Sequence, residues 1–289
     1  MPKGPRLNIA DGIYHVMTRG HRKTVIFEDE HDRERFVDIV AEAAARHGVR
    51  VFAESLLGNH YHQVVQTPRA NLPDYMGYVN GGFAQFSNYR HRRIGHVFNE
   101  RYQPILVDND FYLRVVIGYV LANPVKHQFV EQPGDWKWSS YRATVGLVAP
   151  PNYLCLDWLT SVFPSETPEG ARACLCQYLR TTPPPDDEDW IGQPAFGSSA
   201  FERELREHIG ATLFMAALPR SYRALDRPPL TELFPPGLTT EERNRQMLRA
   251  HVLHAYRMSE IARALCMHPA SVSRIVAALR RKARDPGGC

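Results

Sequence analysis

The tripeptide His60-Tyr61-His62, inside the run from Ser55 to Gln66, carries the residue types in this chain best suited to holding a cation. That run alternates and is rich in β-branched residues, so it reads as an extended segment in which residues two apart share a face. His60 and His62 then project together and can chelate one divalent cation, while Tyr61 turns toward the core. Two ordinary, partly buried histidines would give the same tripeptide, so a second element has to decide. That element is Tyr119-Val-Leu-Ala-Asn123-Pro124. Four residues separate Tyr119 from Asn123, which on a helix puts a phenol and an amide oxygen on one face, able to meet the same object.

The elements that must position these groups follow from the pattern around them. Asp108 to Ala122 reads as a helix, with Asp108 as N-cap, Phe111, Val115, Val116 and Tyr119 at helical spacing, and Pro124 as the stop. Gly118 is costly in such a helix by about 1 kcal/mol, which predicts close approach of another group there. Upstream, the pattern predicts strands at Gly12 to Thr18, Val49 to Leu57, His60 to Gln66 and Ile105 to Val107. Helices are predicted from Glu28 to His47 and from Leu72 to Arg92. This is an α+β order, with helices on an antiparallel sheet.

The order His-Tyr-His, then a tyrosine with an amide residue four positions later, resembles the single-tyrosine transposases of the HUH nuclease superfamily, and among them the REP-associated branch. Further segments share the resemblance: Tyr14-His15-Val16-Met17-Thr18-Arg19-Gly20, Ile26-Phe27, Asn59, Thr67-Pro68, Phe86 to Tyr89, Gly95 to Phe98, Arg101-Tyr102, and Trp138-Ser139-Ser140-Tyr141. It covers roughly residues 7 to 147. The resemblance implies a ferredoxin-like palm, a topology that the residue pattern alone does not select. It also implies a Mg²⁺ or Mn²⁺ ion held by His60, His62 and the side-chain oxygen of Asn123, with Tyr119 as nucleophile. Such an ion acts as a Lewis acid on the scissile phosphate. Attack by the phenol gives a 5′-phosphotyrosine and frees a 3′-hydroxyl. A phenol of pKa near 10 leaves readily, so the step reverses and permits strand transfer. The implied substrate is single-stranded DNA beside a REP-type hairpin.

Competing residues have other readings. Tyr112, seven before Tyr119, reads as core, and Tyr61 points away from the cation. His15, on a neighbouring strand, is either a fourth ligand or a structural or DNA-contacting residue. Arg90, Arg92, Arg93 and Arg101 interleave with aromatic residues, Tyr102 among them, as in a single-strand groove that pairs cations with stacking rings. With Arg19 they make the expected single-strand contacts.

At 289 residues the chain exceeds the usual single-domain size. Residues 1–147 are expected to form the transposase-like domain, 148–215 an acidic, proline-punctuated connector with short helices, and 216–289 a basic DNA-binding domain. The charge supports the division: residues 1–150 carry +3, 151–219 carry −6 and 220–289 carry +7. Arginine supplies nearly all the cations of the last segment, and arginine binds phosphate bidentately. There, Met258 to Val276 fits an all-α helix-turn-helix. Ile261, Ala262 and Leu265 face inward, Cys266-Met267-His268 form the turn and Pro269 opens the second helix. Ser271, Ser273 and Arg274 are left facing a major groove of duplex DNA. Cys266 departs from the usual glycine.

No stretch reaches a membrane span and no signal-peptide core is present, so the expectation is a cytoplasmic, nucleoid-associated protein without membrane contact. The five cysteines form no Cys-x-x-Cys pair and read as reduced thiols. No heptad separates a monomer from a homodimer. Two other functions stay open: a catalytically silent DNA-binding regulator derived from a transposase, and a replication-initiation or relaxase nickase with the same chemistry.

Overall fold

The computed structural model describes residues 8–99, 101–108, 110–185, 195–212 and 227–284. Leu7–Ile191 together with Ala195–Ser198 form one compact unit, and the described residues from Ser199 onward belong to a second.

The first unit begins β1 (Gly12–Arg19), α1 (Glu30–His47), β2 (Arg50–Leu56), β3 (His60–Thr67), α2 (Leu72–Arg90), β4 (Gln103–Val107). Its strands lie in the order β2-β3-β1-β4, every neighbouring pair antiparallel, which is the split βαβ arrangement. α1 starts where the Asp29 side chain accepts from Asp32 N at 3.1 Å, and it stops at Gly48, whose φ of 65° suits a residue without Cβ. The strand period of two then assigns the faces. Tyr61 meets Phe36 of α1 at a ring separation of 4.6 Å, and Phe36 meets Phe83 of α2 at 5.3 Å. Val64 faces the other layer, where it shares a core with Val116, Ile117 and Val120.

That second layer is α3 (Asp110–Lys126), α4 (Tyr141–Thr144), α5 (Leu159–Val162) and α6 (Pro168–Thr181), after which β5 (Ala195–Phe196) runs parallel to β4. The expected antiparallel sheet is therefore a mixed, five-stranded one. A parallel neighbour needs a long crossover, and α3 to α6 supply it. The opposite edge is covered as well: Leu56 N donates to Trp138 O at 2.8 Å and Ser140 N to Glu54 O at 2.9 Å. β5 covers the Leu106–Val107 end of β4, and the segment around Trp138 to Ser140 covers part of β2, which shortens both edges available for pairing.

Four expectations are corrected here. The helix does not begin at Asp108, whose backbone N donates to Phe196 O and whose Oδ2 accepts from Ser198 N, each at 3.0 Å; it ties β5 to β4 instead. Phe111 is 62% exposed and not part of the inward stripe. Nor does Pro124 end the helix. A proline removes only its own donor, and the turn continues with His127 N donating to Asn123 O at 3.0 Å. The connector expected from residue 148 also starts too early. Trp158, Leu159, Val162, Phe163, Ala171 and Leu175 are buried in the same core as α3. The average charge of that stretch hid its apolar face; its acidic run, Asp186 to Asp189, lies outside the described residues.

Gly118 has the close neighbour its cost predicted. A Cβ built there would sit 2.7 Å from Tyr178 Cε1 of α6. Gly118→Ala is expected to lower thermal stability by about 1–2 kcal/mol, because overpacking outweighs the gain in helix propensity. Adding Tyr178→Ala should return part of the loss in the double mutant; equal or greater stability of the single mutant would reject the contact.

In the second unit the described elements are α7 (Ser199–Thr212), α8 (Leu230–Leu233), α9 (Thr240–Val252), α10 (Met258–Ala264) and α11 (Pro269–Arg284). α7 falls within the stretch where short helices are expected. Thr239 and Glu242 close a capping box at the start of α9. Met247, Ala250, Ile261, Ala262, Val272 and Val276 form the core of α9 to α11. Cys266 adopts φ 52°, a left-handed conformation that favours glycine, which accounts for the glycine usual at this position; nothing in the structure explains the cysteine. Cys155, Cys174, Cys176 and Cys266 are free thiols, while Cys289 lies outside the described residues. Among the described residues, no helix is long and apolar enough to cross a membrane.

Candidate active site

β3 turns His60 and His62 to the α3 face of the sheet, where they are 4% and 1% exposed. Each ring is held at Nδ1 from outside. His60 Nδ1–H donates to Asn59 Oδ1 at 2.7 Å, and His62 Nδ1 shares a hydrogen bond of 3.0 Å with His15 Nε2. Such outer partners fix the tautomer and the ring direction, so each Nε2 becomes the atom that faces the site. The His15 ring also stacks on His62, with centroids 5.2 Å apart and planes within 8°. Burial, and then the nearby His15, His60, His127 and Arg19, push the His62 pKa well below its ordinary value. His62 therefore stays neutral and keeps a lone pair.

α3 brings the second element onto the first. The Tyr119 ring packs edge-on against His62 at 5.5 Å and against His15 at 5.7 Å. One turn later, Asn123 is fully buried, and neither its Oδ1 nor its Nδ2 has a hydrogen-bond partner; the same holds for His62 Nε2. Buried polar atoms are nearly always satisfied, so an amide and an imidazole nitrogen left in this state within one layer fit a ligand. Their chemistry, nitrogen and neutral oxygen donors, suits a divalent cation such as Mn²⁺ or Mg²⁺. Among the described residues, no three His, Cys, Asp or Glu side chains converge as a metal site.

Sequence reasoning ended the helix too soon and so missed two residues. His127, at the same four-residue spacing beyond Tyr119 and Asn123, meets the His60 ring at 5.2 Å. Lys126 Nζ lies 5.0 Å from the centre of the Tyr119 ring and donates to Pro185 O at 2.6 Å. The repeat Tyr119, Asn123, His127 was the available signal. The competing tyrosines are accounted for. Tyr61 OH donates to Asn80 Oδ1 at 2.6 Å on the far face, and Tyr112 packs edge-on against Phe196 at 4.9 Å.

The expected single-strand groove divides. Arg90 is bound to Asp29 at 2.6 Å and to Asp32 at 2.5 Å, and Arg93 is paired with Glu28. Both clamp the end of α2 to the acidic start of α1, which explains their charge without DNA. Tyr102 is 7% exposed and cannot offer a stacking face. Arg92 is exposed at φ 51°, and Arg19 and Arg101 line an open cleft beside the histidines. Ser273 and Arg274 are exposed on α11, and Ser271, half-buried, lies 3.5 Å from Arg274 Nη2.

Residues 8–123 match the family model of the IS200-like transposases. That similarity covers less than half of the chain. The transposase match runs from just before β1 to Asn123, so it contains the histidine pair, the tyrosine and the amide, and leaves α4 to α6, β5 and the second unit outside. Among solved structures, this chain is similar to a REP-associated tyrosine transposase bound to a REP hairpin, at 17% identity and a TM-score of 0.45, over 57% of this chain and 96% of that one. It is also similar to a Deinococcus radiodurans R1 protein assigned to the transposases, at 19% identity and a TM-score of 0.29, over 40% of this chain and 92% of that one. No curated protein matches it.

Proposed function

We propose that this chain cleaves and rejoins single-stranded DNA at hairpin sequences through a covalent bond to Tyr119. The observation that carries the reading is the packing of the Tyr119 ring against His62 within one chain, one turn from a buried Asn123 whose amide has no hydrogen-bond partner. His60, His62 and Asn123 are the residues to hold a divalent cation. When bound, that cation supplies Lewis-acid polarisation of the non-bridging phosphate oxygens. Tyr119 loses its phenolic proton and attacks phosphorus in line. The bond to the 3′-oxygen breaks, and that oxygen leaves as a hydroxyl after taking up a proton. The phosphotyrosine keeps the energy of the broken bond, so a second 3′-hydroxyl can reverse the step. His15 and Asn59 orient the two imidazoles.

Incubating the protein with a labelled single-stranded hairpin and Mn²⁺ tests this: a protein–DNA adduct that survives denaturant is expected. Its absence on every hairpin tried, with DNA still bound, would favour the silent regulator.

The basic second unit is assigned to duplex DNA, with α10 and α11 as a helix-turn-helix and Ser271, Ser273 and Arg274 at the groove. Arg274→Ala in the full chain should weaken duplex binding by about 1–3 kcal/mol and flatten its sequence preference if the guanidinium reads a base edge. An equal loss on all sequences, with a smaller salt slope, would make it a phosphate contact instead.

A further inference from the structure

A cleft of about 450 Å³ opens between the turn after β1 and the segment that enters β4. Arg19, Arg22, Lys23 and Arg101 line it, with Asn99 and Gln103 as polar neighbours, and no described carboxylate does. None of the four cations is in an ion pair among the described residues, in contrast to Arg90 and Arg93. Arg19 Nε is buried without a hydrogen-bond partner.

The position of the cleft follows from strand register. Arg19 lies opposite His60, and Met17 lies between His62 on one side and Gln103 on the other. Residues directly opposite in an antiparallel ladder share a face, so the cleft continues the row of the histidine pair across the sheet at about 4.8 Å per strand.

Its shape is also held against local preference. Arg22 and Lys23 adopt φ 52° and 62°, two successive left-handed residues where glycine or asparagine would sit with less strain. Strain of this kind persists where surrounding structure enforces it, typically at functional sites. Asn59 does the enforcing. Its backbone O accepts from Gly20 N at 2.8 Å, its Nδ2 donates to Lys23 O at 3.1 Å, and its Oδ1 accepts from His60 Nδ1 at 2.7 Å. The cationic turn is thereby registered to His60.

We infer that this cleft is a subsite for a phosphodiester of the single strand, adjacent to the scissile one, with Arg19, Arg22, Lys23 and Arg101 as its cations. The inference rests on the reading of the chain as a single-strand nuclease and names where the next phosphate is held. Arg22 and Lys23 contact the strand directly; Asn59 is a positioning residue.

The test uses the full chain carrying Tyr119→Phe, so that binding is measured without a covalent product. Arg22→Asn with Lys23→Asn removes both charges and keeps a residue type that accepts the left-handed conformation. Fluorescence anisotropy with a hairpin bearing a single-stranded arm should show about a tenfold loss of affinity, and a salt slope reduced by about 1.4, near 0.7 for each lost contact. Arg46→Gln, on α1, should leave both unchanged. Neutral methylphosphonates placed one linkage at a time should weaken binding at one or two positions of the arm beside the scissile phosphate, and the double variant should no longer sense those positions. An unchanged slope, or a methylphosphonate profile that the variant does not alter, overturns the subsite. Sensitivity confined to the paired stem overturns its assignment to the single strand. Adduct formation by the chain with Tyr119 intact is scored separately, so loss of nuclease activity and loss of the subsite are told apart.

Discussion

Tyr119→Phe is expected to abolish the denaturant-stable adduct, with a loss of about 10⁴-fold or more in cleavage, as for other nucleophile deletions. Phenylalanine keeps the ring that packs against His62 and His15, so hairpin binding and thermal stability should change little. Tyr112→Phe and Tyr61→Phe should both keep the adduct. Tyr112 leans on Phe196, and the Tyr61 hydroxyl is committed to Asn80 on the other side of the sheet, where burial raises its pKa. Gel analysis after denaturation reads all three. An adduct that persists in Tyr119→Phe, or vanishes only in Tyr112→Phe, places the nucleophile elsewhere.

The second large effect concerns the cation. His62→Ala and Asn123→Ala should each remove Mn²⁺ binding as measured by electron paramagnetic resonance, and cleavage with it, while hairpin binding persists on cationic contacts. His15→Ala should act through ring orientation and weaken the metal affinity by about 10–100-fold without removing it. The gradation separates ligand from support: equal losses at His15 and His62 would make His15 a ligand, and undiminished cleavage in excess EDTA would end the metal mechanism.

The histidine pair, its face and the meeting with Tyr119 were legible because they rest on short-range periodicities, two in a strand and four on a helix. The cost of Gly118 was legible for the same reason, and the glycine does receive Tyr178. What misled was reading local signals as final. Pro124 looked like a stop, yet it is buried within α3, and packing carries the helix on to Lys126. Arg90 and Arg93 looked like DNA contacts because the acids that take them, Glu28, Asp29 and Asp32, lie some sixty residues earlier in the chain. The connector was read from its average charge, which conceals an apolar face at helical spacing. Registration of the turn after β1 by Asn59 was invisible, since it depends on backbone carbonyls that carry no residue signature.

The sheet also sets a timetable. β1 is made first but sits in the middle, between β3 and β4, and α6 and β5 cover the tyrosine helix and the sheet edge last. A chain emerging from the ribosome thus has its histidines before its tyrosine, and its tyrosine before Tyr178 closes over Gly118. Contacts of such long sequence separation form late and slowly. The layer that covers Gly118 and the β4 edge is therefore complete only after nearly two hundred residues have been synthesised, well after Tyr119 and the histidines it packs against.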